Sequence, residues 1–356
     1  MNYFICNKLR LSAIFFPLIL ATSTSFTDYS TSGLENACAH MLLALFFCYY
    51  FSKKNLREMD FFLLSFFASL IVLNRYDEIL LIAPCYGLCF LQRQHYAADF
   101  KDFLTGFLPL WVWLGFSWFY YGSILPDTYY AKVMTGVPFS DSIHTAIMHH
   151  LRLLDLDPVG GFMMLFVCIL TIYFLLKRLR PKPLYSEKYF TLIIIGAGIL
   201  LYNIYFFYVG GDYMTGRFSS APIFLSTFFI LLFLKGIAKK SVTLTAIVFF
   251  FILMIIKLCG ITVFVPKNSA SSPDGVVRAL TFDMKRFQQN WYFLGQDHGA
   301  KDWRALGLSR AVEADNSSFS LISVNGSAGV ISYYAGPKNR FLNSTNKCNS
   351  RPAGLG

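Results

Sequence analysis

The sequence predicts a polytopic α-helical membrane protein of about 9 spans, followed by a small C-terminal extracytoplasmic mixed α/β domain. Of its 356 residues, 55% are hydrophobic and 14% are charged, and the mean hydropathy is +0.50. Soluble domains carry about 25% charged residues, so this composition indicates the membrane class. Apolar runs separated by short charged loops divide the chain into a membrane domain over 1–266 and a C-terminal domain over 267–356.

Nine apolar runs are candidates for membrane-spanning helices. They lie at 11–25, 37–51, 61–74, 79–92, 103–121, 161–176, 189–208, 221–234 and 242–265. Several are shorter than the about 20 residues that a full span requires, so their boundaries are approximate. Lys8 and Arg10 precede the first run, and a signal peptide over 1–25 is the alternative to a short first span.

Basic residues are concentrated in alternate loops, which predicts how the chain is oriented. These loops contain Lys53, Lys54 and Arg57, then Arg93 and Lys101, then Lys177, Arg178, Arg180, Lys182 and Lys188, then Lys235, Lys239 and Lys240. Such loops are retained in the cytoplasm, so the polar segments at 26–36, 74–78, 121–160 and 209–220, which are predicted as loops, are expected on the opposite side. The excess of 31 Lys+Arg over 20 Asp+Glu therefore reflects orientation in a lipid bilayer, and nucleic acid is not an expected partner.

The C-terminal region has a different composition from the membrane domain. Residues 269–273 indicate a linker, 279–294 a helix, and 321–334 strands on either side of the sequence NGS at 325–327. We expect a small extracytoplasmic domain that is too short to enclose a large core by itself.

A glycine-rich segment, VGGDYMTGR at 209–217, separates two runs without charge, 190–207 and 221–234. A polar turn of this kind at the end of apolar helices indicates a substrate site. The sequence RYDE at 75–78 has two interpretations. It is either an interfacial turn in which Asp77 pairs with Arg75, or a site in which Arg75 binds phosphate and Asp77 or Glu78 contacts a sugar or acceptor hydroxyl.

Two further extracytoplasmic segments are rich in polar and aromatic residues. YGSILPDTYYAK at 121–132 is either an interfacial aromatic belt or a platform for a lipid phosphate and a sugar. In TDYSTSGLE at 27–35, Ser32 and Glu35 have the spacing of a capping box. His144, His149 and His150 have no carboxylate at ligand spacing and are expected to be solvated at the interface, so no metal site is predicted.

In their order along the chain, 27–35, 75–78, 121–132 and 209–217, these four segments resemble the terminal arabinofuranosyltransferases of the mycobacterial cell wall and the LphB-like proteins. The sequence GVISYYAGP at 329–337 is similar to the start of that family's outer domain. The family belongs to the GT-C glycosyltransferases. The resemblance implies a GT-C-like fold in the bacterial inner membrane and inverting transfer of a sugar from a polyprenyl-phosphate donor to an envelope glycan acceptor.

The resemblance also implies roles for individual residues. Phosphate-binding groups are Arg217, Lys132 and Arg75, and the turn glycines that let backbone N–H groups approach an anion are Gly210, Gly211 and Gly216. Sugar contacts are Asp212, Tyr213, Asp127, Tyr130 and Glu35. No cofactor is implied firmly, and a divalent cation is left open.

This chain departs from the family where the catalytic base is expected. The relatives carry a further N-terminal span and a loop with paired acids, and this sequence contains no Asp-Asp pair. The sequence pattern therefore indicates an N-terminally truncated copy, with Asp28, Asp77 and Glu78 as weak candidates for the base. The alternative is an inactive protein that binds or carries a polyprenyl lipid. An ion-coupled transporter is a third interpretation, which the uncharged runs disfavour.

Overall fold

The computed structural model describes residues 9–52, 60–93, 96–125, 129, 139–178, 187–211, 215–236, 240–259, 321–325 and 339–343. This part of the chain is largely helical. The helices are α1 Leu9–Thr22, α2 Thr24–Ser30, α3 Asn36–Ser52, α4 Phe61–Asn74, α5 Ile79–Leu91, α6 Tyr96–Gly106, α7 Leu108–Tyr121, α8 Phe139–Leu156, α9 Pro158–Arg178, α10 Glu187–Val209, α11 Ser220–Gly236 and α12 Lys240–Leu258. A 3₁₀ turn, Tyr76–Glu78, joins α4 to α5.

Two helices in the described residues are long and apolar enough to cross a membrane. They are Pro158–Lys177, of 20 residues, and Tyr189–Val209, of 21 residues. A third candidate is the pair Ala97–Gly106 and Leu108–Tyr121, which is bent by 54°, so the predicted run 103–121 is not a single straight helix. The other apolar helices over these ranges are shorter, at 10–17 residues. The helical class is therefore confirmed, and the number of spans stays a prediction.

Helix α10 is the centre of the packing, with α5, α8, α9 and α11 all in contact with it. Its Ile195 and Ile199 are fully buried. A side chain at Gly198 would overlap the backbone of Leu81 on α5, so the glycine allows the two helix backbones to approach closely. Tyr202, in the C-terminal half of α10, reaches Asp77 in the 3₁₀ turn before α5, where the polar residues described below are found.

A buried aspartate fixes the start of α9 to the turn between α1 and α2. Asp157 accepts hydrogen bonds from Gly160 N at 3.0 Å, from Ser25 N at 3.0 Å and from Ser23 Oγ at 2.5 Å. The bond from Gly160 is an N-cap, because it satisfies an N–H group that the first turn of a helix leaves without a partner. The other two bonds make the same carboxylate a link between three helices.

Helix α8 occupies part of the segment 121–160, which was predicted as a loop. Its amphipathic sequence FSDSIHTAIMHHLRLLDL has 18 residues, and Ala146, His149 and Leu153 on one face are buried. The prediction that its histidines are solvated is wrong for His149, which is fully buried and packs against Phe206 of α10 with 4.8 Å between ring centroids. His144 is exposed, and His150 is half-buried.

The structure divides into two compact units, Met1–Trp113 with Pro138–Phe282, and Leu114–Val137 with Asp283–Gly356. In the second unit, strand β1, Leu321–Asn325, pairs in parallel with β2, Asn339–Asn343, so that Leu321 lies opposite Asn339. The strand at 321–325 was predicted, whereas β2 was not. The predicted helix at 279–294 and the segment 329–337 lie outside the described residues.

Candidate functional site

Three of the predicted polar segments meet in the first unit. The end of the segment 26–36, the turn Tyr76–Glu78 with the preceding Arg75, and residues 215–220 contribute side chains to one cluster of charges. We call this set the ionic cluster. It contains three carboxyl groups and two guanidinium groups, from Glu35, Asp77, Glu78, Arg75 and Arg217.

Arg75 is at the centre of the ionic cluster and is only 8% exposed. Its Nη2 is 2.7 Å from Asp77 Oδ2 and its Nη1 is 3.3 Å from Glu35 Oε1. Its Nε lies 3.7 Å from Glu78 Oε1. The guanidinium also stacks over the ring of Phe218, 4.3 Å from the centroid. Because its guanidinium has a partner on each of these sides, Arg75 holds the three carboxyl groups together. Its pairing with Asp77 is the one expected from the first interpretation of the sequence RYDE.

Arg217 lies at the more exposed edge of the ionic cluster. Its Nη2 and Nε are 2.8 Å and 3.2 Å from Glu35 Oε1, and the side chains of Arg217 and Glu35 are 24% and 25% exposed. The amide of Asn36, which is buried, donates to Arg217 O at 2.9 Å and to Ser220 Oγ at 2.7 Å. Arg217 therefore has a fixed backbone and a side chain that solvent or a ligand can reach.

The backbone around Gly216 explains how this arrangement arises locally. Gly216 has φ +92°, and a Cβ there would lie 2.8 Å from Ser25 Oγ. Nearby, the hydroxyl of Tyr29 donates to Thr215 O at 3.1 Å. A positive φ and a close neighbour both favour glycine. The segment before Arg217 is therefore held against α2, which places the guanidinium beside Glu35.

Burial and the two arginines give the three carboxyl groups different protonation behaviour. Burial raises the pKa of Glu35, but the charge of Arg217, hydrogen bonds to the carboxylate and the charge of Arg75 together outweigh burial, and the pKa lies below its usual value. Burial also raises the pKa of Asp77, but Arg75 and the hydrogen bond from Tyr202 lower it, so that the pKa lies below its usual value. Glu78 is different, because burial raises its pKa to about 8, although Arg75 opposes this shift. At neutral pH the ionic cluster thus holds two carboxylates, two guanidinium ions and a protonated Glu78.

Tyr202 and Phe218 contact the ionic cluster but were not predicted from the sequence. The hydroxyl of Tyr202 donates to Asp77 Oδ2 at 2.8 Å and accepts from Arg75 Nη2 at 3.3 Å. Both residues look like ordinary members of apolar or aromatic segments. A signal for Tyr202 is its position beside Asn203 in a run that otherwise contains few polar groups.

The remaining predicted residues are distributed as follows. Asp28 is partly exposed on α2. Gly210 and Gly211, with φ of +83° and +87°, end α10, and their N–H groups both donate to Phe206 O. Ser32 and Glu35 do not form the predicted capping box, because the Glu35 carboxylate binds the arginines. Five predicted residues lie outside the described part of the chain: Asp127, Tyr130, Lys132, Asp212 and Tyr213.

In the part of the chain that the structure describes, no group of three His, Cys, Asp or Glu side chains is close enough to hold a metal ion. The chain was compared with protein-family models, with curated proteins and with solved structures, and none of them matches it. The ionic cluster and the segments that form it are therefore the basis for a functional assignment.

Proposed function

We propose that this protein is a membrane glycosyltransferase, or part of one, that transfers a sugar from a polyprenyl-phosphate donor to an envelope glycan acceptor. The observation that supports this proposal is the convergence of three segments of the family-like pattern on the ionic cluster. A buried set of ion pairs is costly to desolvate, and well-packed hydrophobic residues of similar volume often give equal or greater stability. An arrangement that keeps Arg217 and Glu35 at its exposed edge is suited to a charged ligand.

In this proposal Arg217 binds the donor phosphate and Glu35 accepts a proton. The Nε and Nη2 atoms of Arg217, which donate to Glu35, can also donate to phosphate oxygens. The phosphate of a donor would therefore compete with Glu35 for the guanidinium. Once Arg217 is neutralised by phosphate, the pKa of Glu35 rises, since Arg217 is the main group that lowers it. Donor binding would thereby convert a salt-bridged carboxylate into a stronger base.

The transfer step then follows from these positions. The acceptor hydroxyl oxygen forms a bond to the anomeric carbon, its proton passes to Glu35, and the bond from that carbon to the phosphate oxygen breaks. The electron pair leaves with the polyprenyl phosphate, whose charge Arg217 stabilises. Glu78 is fully buried and Asp77 is held by Arg75 and Tyr202, so these two weak candidates contribute through the position of Arg75. Asp28, which is partly exposed on α2, stays a candidate for the base.

We expect Arg217→Ala to weaken binding of a polyprenyl-phosphate sugar about tenfold to a hundredfold, the effect of losing a hydrogen-bonded charge. Binding to the full chain in lipid nanodiscs measures this directly. Lys177→Ala is the matched control, because it removes one positive charge at the far end of α9, where Lys177 contacts Tyr173. Unchanged binding in Arg217→Ala would remove Arg217 from the donor site.

A second candidate function is binding or carriage of a polyprenyl lipid without turnover. It is favoured by the engagement of Glu35 and Asp77 in ion pairs, which lowers the pKa of both carboxyls and makes them weak bases. Transfer assays with defined donors distinguish the two functions. Glycosyl transfer that Glu35→Gln abolishes while donor binding persists supports the enzyme, and binding without transfer in the unmodified protein supports the carrier.

A further inference from the structure

Arg152 on α8 is a buried arginine outside the ionic cluster. It is 5% exposed, and its Nε and Nη2 are buried without a hydrogen-bond partner. Arg75, Arg93 and Arg217 all lie within 3.3 Å of a carboxylate oxygen. Buried donors on a charged group that lack a partner cost free energy, because nothing replaces the water they lose.

Arg152 lies on α8, the helix that Gly210 and Gly211 approach closely. His149 precedes it by three residues, so both lie on the same face of α8. That face packs on the end of α10, where His149 contacts Phe206 and a Cβ on Gly211 would lie 3.6 Å from that of His149. A Cβ on Gly210 would lie 3.2 Å from Cα of Ser142, which is about two turns before His149 on the same helix.

Electrostatics at Arg152 favour an anionic ligand. Burial lowers the pKa of Arg152, and the charge of Asp155 on the same helix opposes this shift. An arginine nevertheless remains protonated at neutral pH. The group therefore stays charged, and a ligand that supplies oxygen acceptors and negative charge would remove the cost of its burial. A phosphate supplies both, and guanidinium groups match its geometry.

We propose that Arg152 binds the phosphate of a lipid-linked phosphate ligand, on the α8 face that meets the Gly210–Gly211 end of α10. This inference rests on the proposed function for the class of ligand, a prenyl phosphate or its glycosylated form. It adds a binding residue that no sequence motif indicated, since Arg152 lies in a helix that was predicted as loop.

The test compares a prenyl phosphate with the prenyl alcohol of the same chain length. The full chain is placed in nanodiscs of zwitterionic lipid, so that no anionic lipid competes for the site. We expect the unmodified protein to prefer the phosphate, and Arg152→Gln to bind it about tenfold to a hundredfold more weakly, with the affinity for the alcohol unchanged. Arg152→Lys should retain part of the preference for the phosphate over the alcohol. Lys177→Gln, which also removes one positive charge, should retain all of that preference.

Thermal stability separates a ligand site from a structural role. A guanidinium buried without a partner destabilises the unliganded protein, so Arg152→Met should melt at the same or a higher temperature and lose the stabilisation that prenyl phosphate gives the unmodified protein. A lower melting temperature together with loss of both phosphate and alcohol binding would overturn the proposal. So would an unchanged preference for phosphate in Arg152→Gln.

Failure of this proposal and failure of the proposed function give different experimental results. Phosphate binding that depends on Arg152, in a protein that transfers no sugar, supports the site and argues against the enzyme. Sugar transfer at an unchanged rate and KM in Arg152→Gln supports the enzyme and overturns the site.

Discussion

Arg75 shows how a buried charge determines the geometry of its neighbours. Its three carboxyl partners come from two segments that are 40 residues apart in sequence, as the pair Arg75–Glu35 shows. Removing one member of a buried ion pair typically costs about 3–5 kcal/mol, because the other charge remains desolvated. The ionic cluster therefore constrains the loop after α2 and the turn before α5 to one relative position, and it places Glu35 where Arg217 can reach it.

We predict that Glu78 makes the protein less stable as the pH rises. Burial raises the pKa of this carboxyl from 4.5 to about 8, with Asp77 and Glu35 adding to the shift and Arg75 opposing it. A carboxyl whose pKa is raised on folding contributes stability that is complete below pH 4.5 and is lost as the pH approaches about 8. Asp77 and Glu35 have lowered pKa values, so their contributions are lost only at acidic pH.

The melting temperature between pH 5 and pH 9, measured in detergent, checks this prediction. It should fall with rising pH in the unmodified protein and change less in Glu78→Gln, whose amide resembles the protonated carboxyl. The exposed Asp141→Asn serves as the control, with the slope of the unmodified protein expected. Identical slopes in Glu78→Gln and the unmodified protein would show that Glu78 does not titrate in this range.

At the scale of single residues, the sequence revealed the charged members of the site but not their partners. Glu35, Arg75, Asp77 and Arg217 were identifiable because charges are rare beside apolar runs. The pairing of Arg75 with Asp77 was one of two interpretations of the sequence, but the sequence did not show that Glu35 and Glu78 would also be partners of Arg75. Tyr202 was missed, since a tyrosine in an apolar helix usually indicates packing.

Among the helices, close approach of backbones determines how α10 fits its neighbours. We predict that Gly198→Ala destabilises the protein by about 1–3 kcal/mol, the usual cost of overpacking, because the added methyl group would overlap the carbonyl of Leu81. Gly87→Ala on α5 is the matched control, since no atom lies within 4 Å of a Cβ there. It should be neutral or stabilising, because alanine favours a helix over glycine by about 1 kcal/mol.

Melting temperatures of the two variants in the same detergent provide the measurement. The expected order is Gly198→Ala below the unmodified protein, with Gly87→Ala equal to it or above it. Equal melting temperatures for both variants would mean that α5 and α10 are not in close contact at Gly198.

Some helices could be predicted from the sequence and others could not, and the difference has a physical cause. Runs such as 61–74 and 189–208 coincide closely with α4 and α10, because uninterrupted apolar sequence leaves little choice of conformation. Helix α8 was missed because its polar and apolar residues alternate with helical periodicity, which hydropathy alone averages out. Its periodicity was the signal that could have identified it, and its buried face carries His149 and Arg152.

For the whole molecule, helix length determines which elements can cross a membrane. Helices α9 and α10 reach the 20 residues or so that a bilayer requires, and α3 has 17 residues. At about 1.5 Å per residue, α3 is about 26 Å long, a few ångströms less than the hydrocarbon core of about 30 Å. A mismatch of this size is accommodated by local thinning of the bilayer at a modest cost, so α3 remains long enough to be a span in the nine-span prediction.

The charge pattern predicts that the two ends of α3 lie on opposite sides of the membrane. Thr31 before the helix and Ser52 at its end are both exposed, so a cysteine at either position can react. The eight native cysteines are first replaced, and a maleimide that does not cross membranes is applied to intact cells. Thr31→Cys should be labelled in intact cells and Ser52→Cys only after permeabilisation, because the basic residues that follow at 53–57 should remain in the cytoplasm. Labelling of both from one side would show that α3 does not cross, and labelling in the opposite order would place Glu35 and Arg217 on the cytoplasmic side, away from an envelope acceptor.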